Sequence, residues 1–265
     1  MSIPPAGKAL IVDPDELSSA ALSDALSHTW GRVVHWAANG AQGWDICAHL
    51  SPDLIFIELK SPKLDGLTFT RRLRLSDLPC RKAPVIMLGS QPTKDAILAA
   101  RDAGAHEFLR KPYTLNELNR RIEAVTGARR DWVEGIEYVG PDRRRFNAGA
   151  YRGPRKRRVD SDASPEKARI GQALKIMKAA LGAMDSNPRQ ALRALRAQAD
   201  ELRQAATATG DASLAETARA MRAYLETAEQ TGRFSGRQFA TDIGEMFAMS
   251  PKPVLPKKSL LPLAG

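Results

Sequence analysis

Five short apolar runs alternate with five stretches of helical periodicity in the first half of the chain, and this alternation limits the possible folds more than any other feature. Residues 54–57 and 85–88 are apolar at every position, which is typical of parallel strands that helices cover on both faces. We predict strands at 8–12, 32–37, 53–57, 83–88 and 107–109. The predicted helices follow them at 18–27, 41–50, 67–75, 93–103 and 115–125.

Regular alternation of strands and helices favours a parallel sheet, because consecutive parallel strands need a crossover connection between them. These crossovers are almost always right-handed. We therefore predict an α/β, flavodoxin-like, doubly wound sheet of five parallel strands over residues 1–126. Side chains that bind ligands are expected at the carboxyl ends of its strands.

The net positive charge of the chain lies almost entirely after this predicted domain. Residues 1–126 carry 15 Lys and Arg against 14 Asp and Glu, whereas residues 127–164 carry 10 against 6. An imperfect repeat, Tyr-x-Gly-Pro-x-x-Arg-Arg, begins at Tyr138 and again at Tyr151. Turn-forming Gly-Pro pairs and clustered arginines predict an extended basic linker over 127–164.

Helical periodicity returns after the linker. Residues 168–184, 188–207 and 213–230 are predicted helices with apolar stripes, and a short fourth helix is predicted at 238–249. Residues 165–249 are therefore expected to form a helical, bundle-like region. The segment 250–265 is rich in Pro, Lys and Leu and is predicted to be disordered.

Composition excludes several classes of protein. No apolar run reaches the roughly 20 residues of a membrane helix, so a membrane is not an expected partner and we expect a cytoplasmic protein. The two cysteines and four histidines are too few and too scattered for a zinc site or a disulfide framework. No nucleophile–base pair or phosphate-binding glycine loop follows residue 126, so we do not expect an enzyme.

Residues 1–126 resemble the receiver domain of two-component response regulators. The resemblance rests on the segments 9–13, 52–58, 62–66 and 84–88 and on the pair Lys111-Pro112, which keep the order and spacing of that family. It implies a pocket in which two acidic residues and an acceptor aspartate hold Mg²⁺ during phosphoryl transfer. It also implies that a hydroxyl side chain and a lysine bind the phosphoryl oxygens.

The acidic part of this pocket departs from the family pattern. Asp13 matches the first acid, but the second acid position is Pro14, with Asp15 one residue further on. The phosphoacceptor position holds Glu58, whose carboxylate extends roughly 1.5 Å further than that of an aspartate. We therefore expect magnesium binding to be weak or absent, and no other cofactor is predicted.

The other pocket and switch positions match the family pattern in part. Gly89 stands at the position of the switch hydroxyl, with Ser90 beside it. Lys111 matches the phosphoryl-binding lysine, and Phe108 matches the aromatic switch position.

These substitutions predict a pseudo-receiver in which phosphorylation is absent or vestigial. Glu58 would then mimic the phosphorylated state by pairing with Lys111, or it would belong to an inert salt-bridge cluster. A receiver that is phosphorylated on Glu58 is the alternative.

The resemblance implies that partners bind the face formed by the fourth helix, the fifth strand and the fifth helix, here residues 94–103, Phe108 and 115–125. The expected partners are signalling proteins, such as a histidine kinase or other regulators, with a second copy of the chain as another candidate. The basic residues of the linker are expected to form a flexible tether or to dock on proteins or phosphate groups: Arg143, Arg144, Arg145, Arg155, Lys156, Arg157 and Arg158. Nucleic acid is the less favoured alternative, because no module that reads base edges accompanies them.

The helical region has a fainter resemblance to histidine phosphotransfer domains. Asp200 would stand at the position of the phosphorylated histidine, with Arg203 and Gln204 at the Lys and Gly that follow it. No histidine occurs after His106, so the region cannot relay phosphate through histidine. A generic helical hairpin or dimerising bundle is the alternative.

Overall fold

The computed structural model describes residues 7–91, 93–127, 130–143, 165–231 and 241. It divides into two compact units, Met1–Arg155 and Lys156–Gly265.

The first unit is built on a parallel sheet of five strands. The strands in chain order are β1 (Lys8–Val12), β2 (Val33–Ala37), β3 (Leu54–Glu58), β4 (Lys60–Ser61), β5 (Leu64–Asp65), β6 (Val85–Gly89) and β7 (Glu107–Arg110). The order in the sheet is β2-β1-β3-β6-β7. The helices are α1 (Glu16–Trp30), α2 (Gly40–Leu50), α3 (Gly66–Leu75), the 3₁₀ helix Pro79–Lys82, α4 (Lys94–Asp102) and α5 (Leu115–Thr126). Strand order and direction confirm the predicted flavodoxin-like fold. The short strands β4 and β5 form a separate hairpin between β3 and α3.

The core consists of two apolar clusters, one on each face of the sheet. Successive residues of β1 alternate between them, so that Leu10 and Val12 lie in one cluster while Ala9 and Ile11 lie in the other. All four side chains are fully buried. This two-sided burial explains the continuous apolar runs from which parallel strands were predicted.

Helix caps fix where the chain leaves the sheet. Asp15 caps α1 by accepting from the backbone N–H of Ser18, and Asp65 caps α3. Thr114 and Glu117 form a reciprocal capping box at the start of α5. Each cap satisfies N–H groups that the helix itself leaves unpaired, and it thereby fixes the loop that precedes the helix.

Residues 130–143 depart from the predicted extended linker. Two further strands, β8 (Trp132–Glu134) and β9 (Val139–Pro141), form an antiparallel hairpin. Its inner residues Tyr138 and Val139 are buried, and Glu134 pairs with Arg81 at 2.7 Å. The hairpin thus packs against the rest of the first unit, because its apolar and charged side chains have partners there.

Arg74 of α3 links two segments that contact this hairpin, the 3₁₀ helix at Arg81 and the loop at Gly104. Its guanidinium is completely buried and donates to the carbonyl oxygens of Gly104, Arg81 and Ala83 at 2.6–3.0 Å. It also reaches Nδ1 of His106 at 3.3 Å. Burial lowers the pKa of Arg74 to about 9, so the side chain keeps its proton at neutral pH.

Two glycines allow strand β9 to lie close to the loop that contains Gly104. Gly104 and Gly140 have φ values of +93° and +159°. A Cβ at Gly140 would stand 2.9 Å from Cα of Gly104, and one at Gly104 would stand 2.9 Å from the carbonyl oxygen of Val139. Neither position has room for a side chain.

The second unit consists of three helices in its described part: α6 (Pro165–Gly182), α7 (Pro188–Thr209) and α8 (Ala212–Thr231). Helix α7 is the central one and packs against both of the others. Asn187 caps its start, and Gly210 ends it in the left-handed conformation. These helices confirm the predicted helical region. The predicted fourth helix at 238–249, apart from position 241, and the tail 250–265 lie outside the described residues.

No helix in the described part of the chain is long and apolar enough to cross a membrane.

Candidate functional site

The carboxyl ends of four parallel strands bring the predicted pocket residues together. Asp13 follows β1, Glu58 ends β3, Gly89 ends β6 and Lys111 follows β7. Strand pairing aligns these ends, because β3 pairs with both β1 and β6, and β6 pairs with β7. Side chains that are distant in sequence therefore meet at one edge of the sheet.

Lys111 lies at the centre of this cluster. Its Nζ donates to Oδ2 of Asp13 at 2.5 Å and to Oε2 of Glu58 at 2.7 Å. The side chains of Asp13, Glu58 and Lys111 are 2%, 12% and 16% exposed. One cation thus faces two largely buried carboxylates, and such charge-assisted hydrogen bonds are the strong ones.

Burial and hydrogen bonding have opposite effects on the pKa values of Glu58 and Lys111. Burial raises the pKa of Glu58, against the lowering effect of the Lys111 hydrogen bond. Burial disfavours the charged form of Lys111 as well, but hydrogen bonds to Asp13 and Glu58 outweigh it and raise the pKa of Lys111. Lys111 therefore remains a cation at physiological pH.

The residues after Asp13 do not complete a magnesium site. Pro14 has no ligand atom, and the Asp15 carboxylate caps α1, where the Ser18 N–H lowers the pKa of Asp15. Within the described residues, no group of three His, Cys, Asp or Glu side chains is placed to hold a metal ion. The two carboxylates that are present already bind Lys111, so this donor set fits Mg²⁺ poorly.

Gly89 leaves a space that Phe108 fills. A Cβ at position 89 would meet Cζ of Phe108 at 3.0 Å and Cβ of Leu59 at 3.5 Å. Phe108 is only 4% exposed, so its ring packs inward against the strand end. Position 89 therefore contributes room for an aromatic ring instead of a hydroxyl group.

Gly89→Thr is expected to displace the Phe108 ring and to lower the free energy of unfolding by about 1–3 kcal/mol, because an added side chain overpacks this contact. Urea denaturation would give the stability, and the NMR shifts of the Phe108 ring would report its position. Gly89→Ala is the smaller control and should cost less. Equal stability and unchanged ring shifts in Gly89→Thr would contradict the packing argument.

Ser90 forms no hydrogen bond with Asp13, Glu58 or Lys111 in the described part of the chain. It is exposed and lines a groove of about 480 Å³ between α1 and α5, together with Lys111, Tyr113 and Leu118. Sequence reasoning missed this groove, which depends on how two helices far apart in sequence pack together.

Trp36 is a second feature that sequence reasoning missed. It lies on β2 opposite Ile11 of β1, and its indole N–H donates to the carbonyl oxygen of Asp13 at 2.8 Å. The indole is 43% exposed. Trp36 therefore holds the loop that carries Asp13, and a tryptophan near the carboxyl end of the neighbouring strand was the available signal.

The face formed by α4, β7 and α5 contains a groove of about 400 Å³. Ile97, Phe108, Arg110, Glu117 and Arg121 are among the residues that line it. Arg121 also pairs with the buried Glu107 at 2.9 Å. This is the face at which partner binding is predicted, and the buried Phe108 is one of the residues that line its groove.

Arg143 is the one linker arginine of the predicted docking set that the structure describes. Its guanidinium carbon lies 4.3 Å from the ring centre of Tyr138, and it pairs with Asp102 at 3.1 Å. The first copy of the repeat is thus partly engaged with its own domain. The other members of the set lie outside the described residues: Arg144, Arg145, Arg155, Lys156, Arg157 and Arg158.

Asp200 of α7, at the predicted histidine-equivalent position, is partly exposed and lies 3.5 Å from Arg222 of α8. Arg203 and Gln204 are exposed.

Comparison with known proteins identifies the first unit. The family model described as the response regulator receiver domain matches residues 9–123. A probable chemotaxis protein CheY of Rhizobium etli is 34% identical over 128 residues, which cover 48% of this chain and 98% of that protein. The response regulator MprA of a Mycobacterium species is 34% identical over 44% of this chain and 49% of its own length.

Among solved structures, a two-component response regulator from Clostridium difficile is 25% identical with a TM-score of 0.41. The match covers 44% of this chain and 93% of that one.

Proposed function

Because this chain belongs to the response-regulator receiver family, we propose that it acts in two-component signalling as an atypical receiver that works by binding proteins without being phosphorylated. The observation that carries the proposal is the bridge of Lys111 to both Asp13 and Glu58. In this proposal the protein is cytoplasmic and catalyses no reaction of its own.

The length of Glu58 supports the role of a permanent mimic. Its carboxylate reaches roughly 1.5 Å further than an aspartate would and binds Lys111 at 2.7 Å. It therefore places negative charge beyond the normal end of an acceptor side chain, where a phosphoryl group would carry its own. Lys111 is engaged without any modification of the chain.

The packing of Phe108 supports a fixed state of the partner-binding face. The ring is buried beside Gly89, where a larger side chain would push against it. Since both the charge at residue 58 and the space at residue 89 are encoded in the sequence, the α4–β7–α5 face holds one arrangement. The proposed partners are signalling proteins, a histidine kinase or another regulator, with a second copy of this chain as the next candidate.

The direct test is phosphorylation with a small phosphodonor. The protein is incubated with Mg²⁺ and acetyl phosphate, and its intact mass is measured under neutral conditions. We expect no adduct of about 80 Da. A variant that restores the family pattern, Pro14→Asp with Glu58→Asp and Gly89→Thr, is the matched control and should gain the adduct.

The mimic is tested separately from the lack of phosphorylation. Glu58→Gln keeps the shape of the side chain and removes its charge, so we expect NMR shifts to change at Phe108 and along α4 and α5. Changes confined to the neighbours of residue 58 would leave Glu58 as an inert part of the cluster. An adduct on the native protein that disappears in Glu58→Gln would establish the alternative, a receiver phosphorylated on glutamate.

A further inference from the structure

The two cysteines of the chain lie against each other in the core of the first unit. Cys47 is on α2 and Cys80 on the 3₁₀ helix Pro79–Lys82, with exposures of 0% and 4%. The thiol of Cys80 donates to the backbone carbonyl oxygen of Cys47 at 3.4 Å. Both belong to the same apolar cluster.

The surroundings make the two sulfur atoms unequal. The neighbouring Cys47 thiol lowers the pKa of Cys80, and the positive charge of Arg74 acts in the same direction. The neighbouring Cys80 thiol and burial raise the pKa of Cys47. Since the thiolate is the reactive form of cysteine, Cys80 is the better nucleophile of the pair.

Access also favours Cys80. It lies in a 3₁₀ helix of only four residues, next to the exposed Pro79. A short 3₁₀ helix is held by few hydrogen bonds and opens more readily than the long helix that carries Cys47. A small oxidant therefore meets Cys80 before Cys47.

We propose that Cys47 and Cys80 form an oxidation site, at which hydrogen peroxide converts the two thiols into an intramolecular disulfide between α2 and the 3₁₀ helix. The sulfur of Cys80 attacks one peroxide oxygen, the O–O bond breaks and the other oxygen leaves as water, which gives a sulfenic acid. The sulfur of Cys47 then attacks that of Cys80, the S–O bond breaks and a second water leaves. Two thiols and one peroxide thus yield one disulfide and two waters.

The proposal is independent of the phosphorylation state of the receiver, because the pair lies in the core and not in the charged cluster. The full-length protein is treated with hydrogen peroxide under native conditions, and its intact mass and free thiols are measured. We expect the loss of two hydrogen atoms, about 2 Da, the loss of both free thiols and full reversal by dithiothreitol. Digestion without reduction should yield one peptide that joins residues 47 and 80.

Cys47→Ser and Cys80→Ser are the matched variants. In Cys47→Ser we expect a sulfenic acid at Cys80 that a dimedone probe traps, whereas Cys80→Ser should react much more slowly. Should a variant fail to fold, the mapping of the native protein alone decides the question. Two free thiols that persist in the peroxide-treated native protein, or disulfides that form only between chains, would overturn the proposal.

Discussion

Lys111→Met is expected to lower the free energy of unfolding of the receiver unit by about 3 kcal/mol near neutral pH, because it leaves two buried carboxylates without their cation. Asp13 and Glu58 lose their hydrogen bonds to Nζ and repel each other across the pocket. Chemical denaturation followed by circular dichroism would measure the loss.

The pH dependence of this loss identifies its cause. Burial already raises the pKa of Glu58 above its ordinary value of 4.5, and removal of Lys111 should raise it further. A carboxyl whose pKa is higher in the folded state stabilises the fold where it is protonated, and this stabilisation is lost as the pH rises through the folded pKa. The deficit of Lys111→Met should therefore shrink as the pH falls towards 4.5.

Lys111→Arg is the matched control, since it keeps a cation between the two carboxylates. It should retain most of the stability and show little pH dependence relative to the native protein. A deficit in Lys111→Met that is the same at every pH would show that packing, and not charge, is responsible.

Arg74→Ala is expected to cost about 3 kcal/mol of unfolding free energy. The carbonyl oxygens of Gly104, Arg81 and Ala83 would lose their donors, and each unsatisfied buried group costs about 1–3 kcal/mol. The cavity left by the side chain adds to this cost. Removal of a desolvated cation offsets part of this cost. The expected total is therefore close to the sum of the smallest costs for the three carbonyl groups.

Arg72→Ala on the same helix is the control for Arg74→Ala. Arg72 is exposed, and its guanidinium carbon lies 3.8 Å from the ring centre of Trp44, so its loss should cost less than about 1 kcal/mol. Trp132 of the hairpin lies 5.3 Å from Arg74. Its fluorescence would show whether the hairpin detaches first. Equal costs for the two variants would contradict the role assigned to Arg74.

The sequence was sufficient for the main features of the fold because they depend on local periodicity. Runs such as 54–57, apolar on both faces, predict covered parallel strands, and their alternation with helices predicts the doubly wound sheet. The resemblance to receiver domains supplied the pocket positions of Asp13, Glu58 and Lys111. Parallel strands present their carboxyl ends at one edge, so the meeting of these residues could be expected before any distance was known.

Tertiary structure alone decided which side chains contact each other across long stretches of chain. Arg74 and Gly104 are 30 positions apart, and Cys80 and Cys47 are 33 apart. The hairpin of β8 and β9 looked like a linker because its strands are only three residues long and its segment contains a Gly-Pro pair next to clustered arginines. It folds because its residues pack against Arg74 and Arg81, and because Gly104 and Gly140 allow the two segments to approach closely. Such contacts arise from the packing of distant segments, which local sequence periodicity does not encode.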